Sequence, residues 1–314
     1  MSDSHRPTSP IQLGRRALLT GTMAGLAAAA IGQPAGALTT LEDAEFTVAC
    51  RLEESRLAEC SRPSGQSDWI GSSGWKLRFR SGYQGNNTAD NPALGDHPSV
   101  STFPFHAGFR GLCNDWATFL DGAMKGALGE GIDWIGSAGT FACVSGQHGT
   151  GSALDLTRIN GTGNAIIDMN RHWRPGQSMA DRRRYIGVMT SCRMYFRVVL
   201  NGWHDTDGTH DNHIHIDNAG STSRIALRSS PNNRTDTTIV QVAARFLGVN
   251  SDIDIDRIWG PVTQQAFQDL RSAFGMSDRP NPIGNTLSSS HFLQLIVRTA
   301  LANGQAGDVT VGDL

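Results

Sequence analysis

The residues best suited to chemistry fall in two short stretches. The first is His148-Gly149-Thr150-Gly151-Ser152-Ala153-Leu154-Asp155, and the second is His210-Asp211-Asn212-His213-Ile214-His215-Ile216-Asp217. Side chains alternate along a strand, so His213, His215 and Asp217 share one face while Ile214 and Ile216 are buried behind them. Asp155 likewise takes the polar side of a strand backed by Leu154 and Leu156. Two imidazoles two residues apart on a strand stand about 6.8 Å apart, at ~3.4 Å per residue. That spacing fits one metal ligand beside one free base, and it also fits two ligands. A catalytic zinc takes three nitrogen or oxygen ligands and keeps a fourth position for water. His148, Asp155 and His215 would supply that set, with His213 left to take a proton from the water. Gly149, Gly151 and Ala153 are small and leave room for turns and for substrate near the metal. Alone, the first stretch reads as a Gly-rich turn with a surface histidine, and the second as incidental strand decoration. Their combination in one chain is much more specific.

Alternating helix and strand patterns must position these side chains. Leu112, Trp116, Phe119, Leu120, Ala123 and Ala127 form one apolar helix face, stopped by Gly129 and Gly131. Strand patterns follow over 132–143 and Ala153–Thr157, then a helix over about Met179–Met189, then strands at Tyr195–Leu200 and His213–Asp217. Arg182-Arg183-Arg184 reads as a solvated face of that helix. Upstream, an amphipathic helix is expected from Thr40 to about Cys60. Residues 61–108 give little regular signal beyond a strand at Trp75–Phe79. The fold class expected is α+β, a small antiparallel sheet with flanking helices that hold a zinc site. Residues 219–235 are polar and read as a linker. After them Ile239, Val242, Ala243, Phe246 and Leu247, then Ala266, Phe267, Leu270 and Phe274, then about Ser290–Ala302, mark a three-helix domain over 236–304. Asp252, Asp254 and Asp256 mimic the start of a calcium loop, but Arg257 and Thr263 stand where that loop needs glycine and glutamate.

With 27 Lys plus Arg against 29 Asp plus Glu, the chain carries a net charge of -2, which argues against a nucleic-acid grip by bulk charge. At the N-terminus, Gly14-Arg15-Arg16 opens an Ala-rich apolar run through Ile31, and Ala35-Gly36-Ala37 offers a cleavage site. Residues 1–37 therefore read as a signal peptide, and the paired arginines resemble a twin-arginine export signal. The run is too short and too Ala-rich to span comfortably, so no stable membrane span is expected after cleavage. The implied location is periplasmic or extracellular. Cys50, Cys60, Cys113, Cys143 and Cys192 would then lie in an oxidising compartment, where cysteines usually pair, although spacing alone cannot fix connectivity.

The pattern His148-x-x-Gly151-x-Ala153-x-Asp155 followed by His213-x-His215 resembles the zinc D-Ala-D-Ala peptidase superfamily. Within it, the chain is similar to the extensin-like C-terminal domain and to penicillin-insensitive murein endopeptidases, over roughly residues 105–218. The peptidase domain as a whole is expected to span 38–218. The resemblance implies His148, Asp155 and His215 as ligands of Zn2+, His213 as catalytic base and His210 as a further active-site histidine. It also supports pairing Cys143 with Cys192; Cys50–Cys60 is a weaker second pair that the resemblance does not bear on. Asp256-Arg257-Ile258-Trp259-Gly260-Pro261-Val262-Thr263-Gln264-Gln265-Ala266-Phe267 resembles the core of a peptidoglycan-binding domain. The implied activity is hydrolysis of peptidoglycan stem peptides or cross-links by a D,D-endopeptidase or D,D-carboxypeptidase. The competing expectations are a wall-binding protein that keeps the fold without the reaction, and a zinc hydrolase acting on a non-peptide wall component.

Overall fold

The computed structural model describes residues 66–79, 100–140, 146–204, 208–219, 226–230 and 233–314. The expected signal over 1–37, the expected helix from Thr40 to Cys60, and Cys50, Cys60 and Cys143 lie outside these residues. Among the described residues no helix is long and apolar enough to cross a membrane.

The architecture is α+β. Strands β1 (Gln66–Trp69) and β3 (Phe103–His106) form an antiparallel ribbon. The main sheet holds β2 (Lys76–Phe79), β4 (Ile132–Gly139), β5 (Ala153–Gly161), β8 (Ile214–Asp217) and β7 (Val198–Leu200) in that spatial order. Strand β6 (Ile166–Asp168) pairs with the far end of β5. Every pairing in the main sheet is antiparallel except β2 with β4. Strand β5 is central, with β4 on one side and β8 and β6 sharing the other, which is why even Asp155 and Thr157 are buried.

Helix α1 (Ala107–Leu128) ends at Gly129, whose left-handed φ of 74° lets its N–H reach the Lys125 carbonyl. Its buried residues are Phe109, Cys113, Trp116, Ala117, Leu120 and Met124. The core stripe is thus rotated from the expected one. Phe119, Ala123 and Ala127 are only half-buried and line an open groove shared with the C-terminal helix. Helix α2 (Met179–Tyr195) runs six residues beyond its expected end at Met189 and takes in Tyr195, leaving only Val198–Leu200 as strand. Its last eleven residues, Tyr185–Tyr195, are all buried, so no polar stripe marks its course in the sequence.

Three helices follow, α3 (Arg234–Phe246), α4 (Pro261–Ala273) and α5 (Thr286–Leu301). They share one continuous hydrophobic core with the α+β part. Gly187 of α2 permits the close approach of α5, because a Cβ there would lie 2.8 Å from the Leu301 side chain. The described part of 219–235 is anchored: Leu227 is fully buried and bridges to Ile283. The arginine run corrects its expected solvated role. Arg183 donates to the carbonyls of Phe246 (2.7 Å) and Asn303 (2.6 Å), and Arg182 covers the Phe246 ring. The Arg183 guanidinium thus satisfies the last carbonyl of α3, which has no partner within the helix, and a carbonyl just beyond α5.

The expected Cys143–Cys192 disulfide is also corrected. Cys192 is a free thiol buried in the core where α2 meets α1, and Cys113 is its thiol neighbour there. Burial pushes both thiols above their ordinary range, so both stay protonated. Nearby, Trp116 Nε1 donates to Ser191 Oγ at 2.9 Å, fixing the two helices against each other.

Candidate metal centre

The antiparallel register of β5 with β8 sets Asp155 directly opposite His215. The β4–β5 connection brings His148 over this pair on a short 3-10 turn, His148–Thr150. Register shifts between Gly136 and Ser137, and between Ser137 and Gly139, interrupt the ladder at the end of β4. The Thr140 carbonyl then meets His148 Nδ1 at 3.1 Å.

His148, Asp155 and His215 form a cluster able to hold a metal ion, with one ligand atom from each lying within 4.8 Å of the others. His148 Nε2 lies 3.2 Å from Asp155 Oδ2 and 3.3 Å from His215 Nδ1, and His215 Nδ1 lies 3.0 Å from Asp155 Oδ1. Each ring is held from behind. His148 Nδ1–H donates to the Thr140 carbonyl, and His215 Nε2–H donates to Asp217 Oδ2 at 2.9 Å. These bonds fix the ring orientations and leave His148 Nε2 and His215 Nδ1 facing the cluster. Asp217 has a second duty, since its Oδ1 accepts from the Ala219 N–H at 2.6 Å and closes the turn after β8.

His213 and His210 complete the group. His213 is fully buried just before β8, donates from Nδ1 to Asn212 Oδ1 at 2.7 Å, and holds Nε2 3.6 Å from Asp155 Oδ1. The His210 ring lies 5.1 Å from that of His213 and 5.9 Å from that of His215. All five residues singled out from the sequence therefore meet in one place. Of their supports, Asp217 is suggested by its place on the histidine face of the strand, as metal-site histidines require an orienting partner, whereas the others give no such signal. Asn212 stood inside the quoted motif without an assigned role. Trp173 and Arg174 lie some forty residues upstream and meet the histidine segment at Asp211. Trp173 Nε1 donates to the Asp211 carbonyl at 2.8 Å, and Arg174 covers the Trp173 ring and lies 3.7 Å from Asp211 Oδ2. This contact needs Gly202, where a Cβ would come within 2.2 Å of the Trp173 ring.

The electrostatics separate the roles. Burial opposes the Asp155 carboxylate, yet the His148 and His213 imidazoles beside it hold it well below the usual carboxylate range. Burial drives His213 well below the ordinary histidine value despite the opposing pull of Asp155, leaving a neutral ring that can accept a proton. Burial disfavours charge on His215 as well, but hydrogen bonds with Asp155 and Asp217 outweigh it and push His215 up to about 10.

Two outcomes follow at this site. At pH 7 the metal-free His215 lies below its raised pKa and is charged, so a metal must displace its Nδ1 proton. Calorimetric titration of metal at pH 7 in buffers of different ionisation enthalpy should therefore report about one proton released, and affinity should rise with pH until His215 deprotonates. A buffer-independent enthalpy would show that His215 is already neutral. Removing the rear support by Asp217→Ala should weaken metal binding about 10- to 100-fold in a chelator competition, without removing any donor from the cluster.

Residues 113–227 match the family model described as extensin-like protein C-terminus, a span that contains all five site residues. That stretch is similar to the extensin-like C-terminal family. No curated protein and no solved structure matches the chain.

Proposed function

We propose that the protein is an exported zinc-dependent peptidase that hydrolyses peptide bonds of peptidoglycan, as a D,D-endopeptidase or a D,D-carboxypeptidase. The observation that carries this reading is the convergence of His148 Nε2, Asp155 and His215 Nδ1 at separations of 3.0–3.3 Å. A tetrahedral zinc with bonds of ~2.0–2.1 Å has ligand-to-ligand edges of about 3.3–3.4 Å, close to this spacing. Two imidazoles and one carboxylate also suit zinc better than the all-oxygen preference of calcium or magnesium.

When bound, zinc would polarise the scissile carbonyl and lower the pKa of a water from 15.7 toward ~7. The chain's own groups supply the proton handling. His213, neutral and held through Nδ1 by Asn212, keeps Nε2 as the acceptor for the water proton and returns that proton to the leaving amine. His210 stands beside it in the same cluster. Asp217 and Thr140 keep the two ligand rings in their productive orientation.

The substrate class rests on the resemblance of the His148–Asp155 and His213–His215 motifs to wall peptidases, and on the likeness of 256–267 to a peptidoglycan-binding core. The likeness of 1–37 to a twin-arginine signal supports a reaction outside the cytoplasm. The deciding experiment is incubation of purified muropeptides with zinc-loaded protein, with products read by mass. Peptide cleavage that requires zinc is expected. Intact muropeptides after binding would instead favour the non-catalytic wall-binding reading.

A further inference from the structure

At the outer edge of β7, on the side away from β8, lies a cavity of about 360 Å³. Its walls include Arg193, Arg197, Arg228 and Arg234, with Val198 and Asn233 between them, and among the described residues no carboxylate lines it. The charge of Arg193 is committed, because Asp236 takes its guanidinium at 2.5 and 3.2 Å. Asp236 is itself saturated by the Arg228 N–H and by Asn233 Nδ2. Arg197, Arg228 and Arg234 are exposed, and among the described residues none of them pairs with a carboxylate. Three arginines with no carboxylate partner among the described residues thus line one concavity, where like charges repel unless an anion enters. Guanidinium groups match the planar, forked geometry of oxyanions. The amino end of α3, which begins at Arg234, adds positive potential to the same wall.

One strand pairing links the cavity wall to the residues that support the metal cluster. Val198 is the register partner of Asp217, the residue that holds His215, and neighbouring strands lie ~4.8 Å apart. We propose that this cavity is an oxyanion subsite, and that it holds a carboxylate of the peptide whose bond lies over the metal cluster. The assignment of that carboxylate to the substrate rests on the peptidase reading, whereas the anion site itself does not.

The probes are inorganic phosphate and glutarate, titrated calorimetrically into the wild-type protein, the Arg197→Gln/Arg234→Gln double variant and His148→Ala. Both arginines are exposed, so the double variant should keep its thermal midpoint. Saturable binding of both anions is expected in the wild type and in His148→Ala, weakened at least tenfold in the double variant. Absence of saturable binding in the wild type, or undiminished binding in the double variant, overturns the site. Binding of phosphate without glutarate overturns the carboxylate assignment. On muropeptides the double variant should raise KM with kcat retained, and amidation of the peptide carboxylates should erase the difference from wild type. An unchanged KM overturns the substrate role. If wild-type protein leaves muropeptides intact, the peptidase reading fails while the anion titrations still decide the cavity.

Discussion

His215→Ala is expected to abolish stoichiometric metal binding and to lower zinc-dependent muropeptide hydrolysis by about three orders of magnitude or more. Electrophilic stabilisation by a metal is worth several kcal/mol, and each 1.36 kcal/mol is a decade in rate, so about 10³-fold is a modest estimate. The geometry explains why this residue matters most. His215 shares short contacts with both other donors, and its loss leaves only His148 Nε2 and the Asp155 carboxylate in the cluster. It also leaves Asp155, 1% exposed, without its closest charged partner. Metal content by atomic absorption and hydrolysis should fall together. Hydrolysis that survives in a variant without metal would sink the metallopeptidase reading.

The companion variant His213→Gln separates the two roles that strand spacing leaves open. If His213 is the base, metal content stays and turnover falls by about 10²- to 10⁴-fold. If His213 is a ligand, metal is lost as well. The structure favours the first outcome. His213 Nε2 lies 3.6 Å from Asp155 Oδ1, and the three atoms that converge most closely belong to His148, Asp155 and His215.

Much of this site could be read from sequence because its determinants are local. Alternation on β8 buries Ile214 and Ile216 and turns His215 to the opposite face. Pairing of Asp155 with His215 then needs only that two polar-faced strands become neighbours. The left-handed conformation at Gly129 was similarly legible, since few other residues tolerate it at a helix end. What escaped was set by distant contacts. The ribbon β1–β3 joins segments about forty residues apart in a stretch with little periodic signal. Helix α2 hides its length because Ser191 and Arg193 are buried polar residues, each acceptable only through its tertiary surroundings. Ser191 receives Trp116 Nε1 and donates to the Val188 carbonyl. Arg193 is tolerated inside the core because Asp236 waits on another helix, and nothing near either residue in the sequence announces the pair.

That pair should dominate the stability of the described fold. Arg193 is 3% exposed and Asp236 is fully buried, so neither charge can fall back on water if its partner goes. Asp236→Ala should therefore cost about 3–5 kcal/mol, the range for breaking a buried ion pair from one side. At roughly 2–4 °C per kcal/mol for a chain of this size, the thermal midpoint should drop by about 6–20 °C. The double replacement Arg193→Met/Asp236→Leu should recover much of that loss, because it removes both desolvation penalties and fills the space with apolar side chains. A double variant as unstable as Asp236→Ala would show that the damage came from the other Asp236 contacts, the Arg228 N–H and Asn233 Nδ2. The form of the transition carries further information. Arg193 belongs to α2 and Asp236 to α3, and the core runs without a break from the sheet to α5. If the three C-terminal helices were an independent module, Asp236→Ala would split melting into two steps, one of them unshifted. With a shared core the whole transition should move as one, and the metal centre should be lost in the same step as the helices.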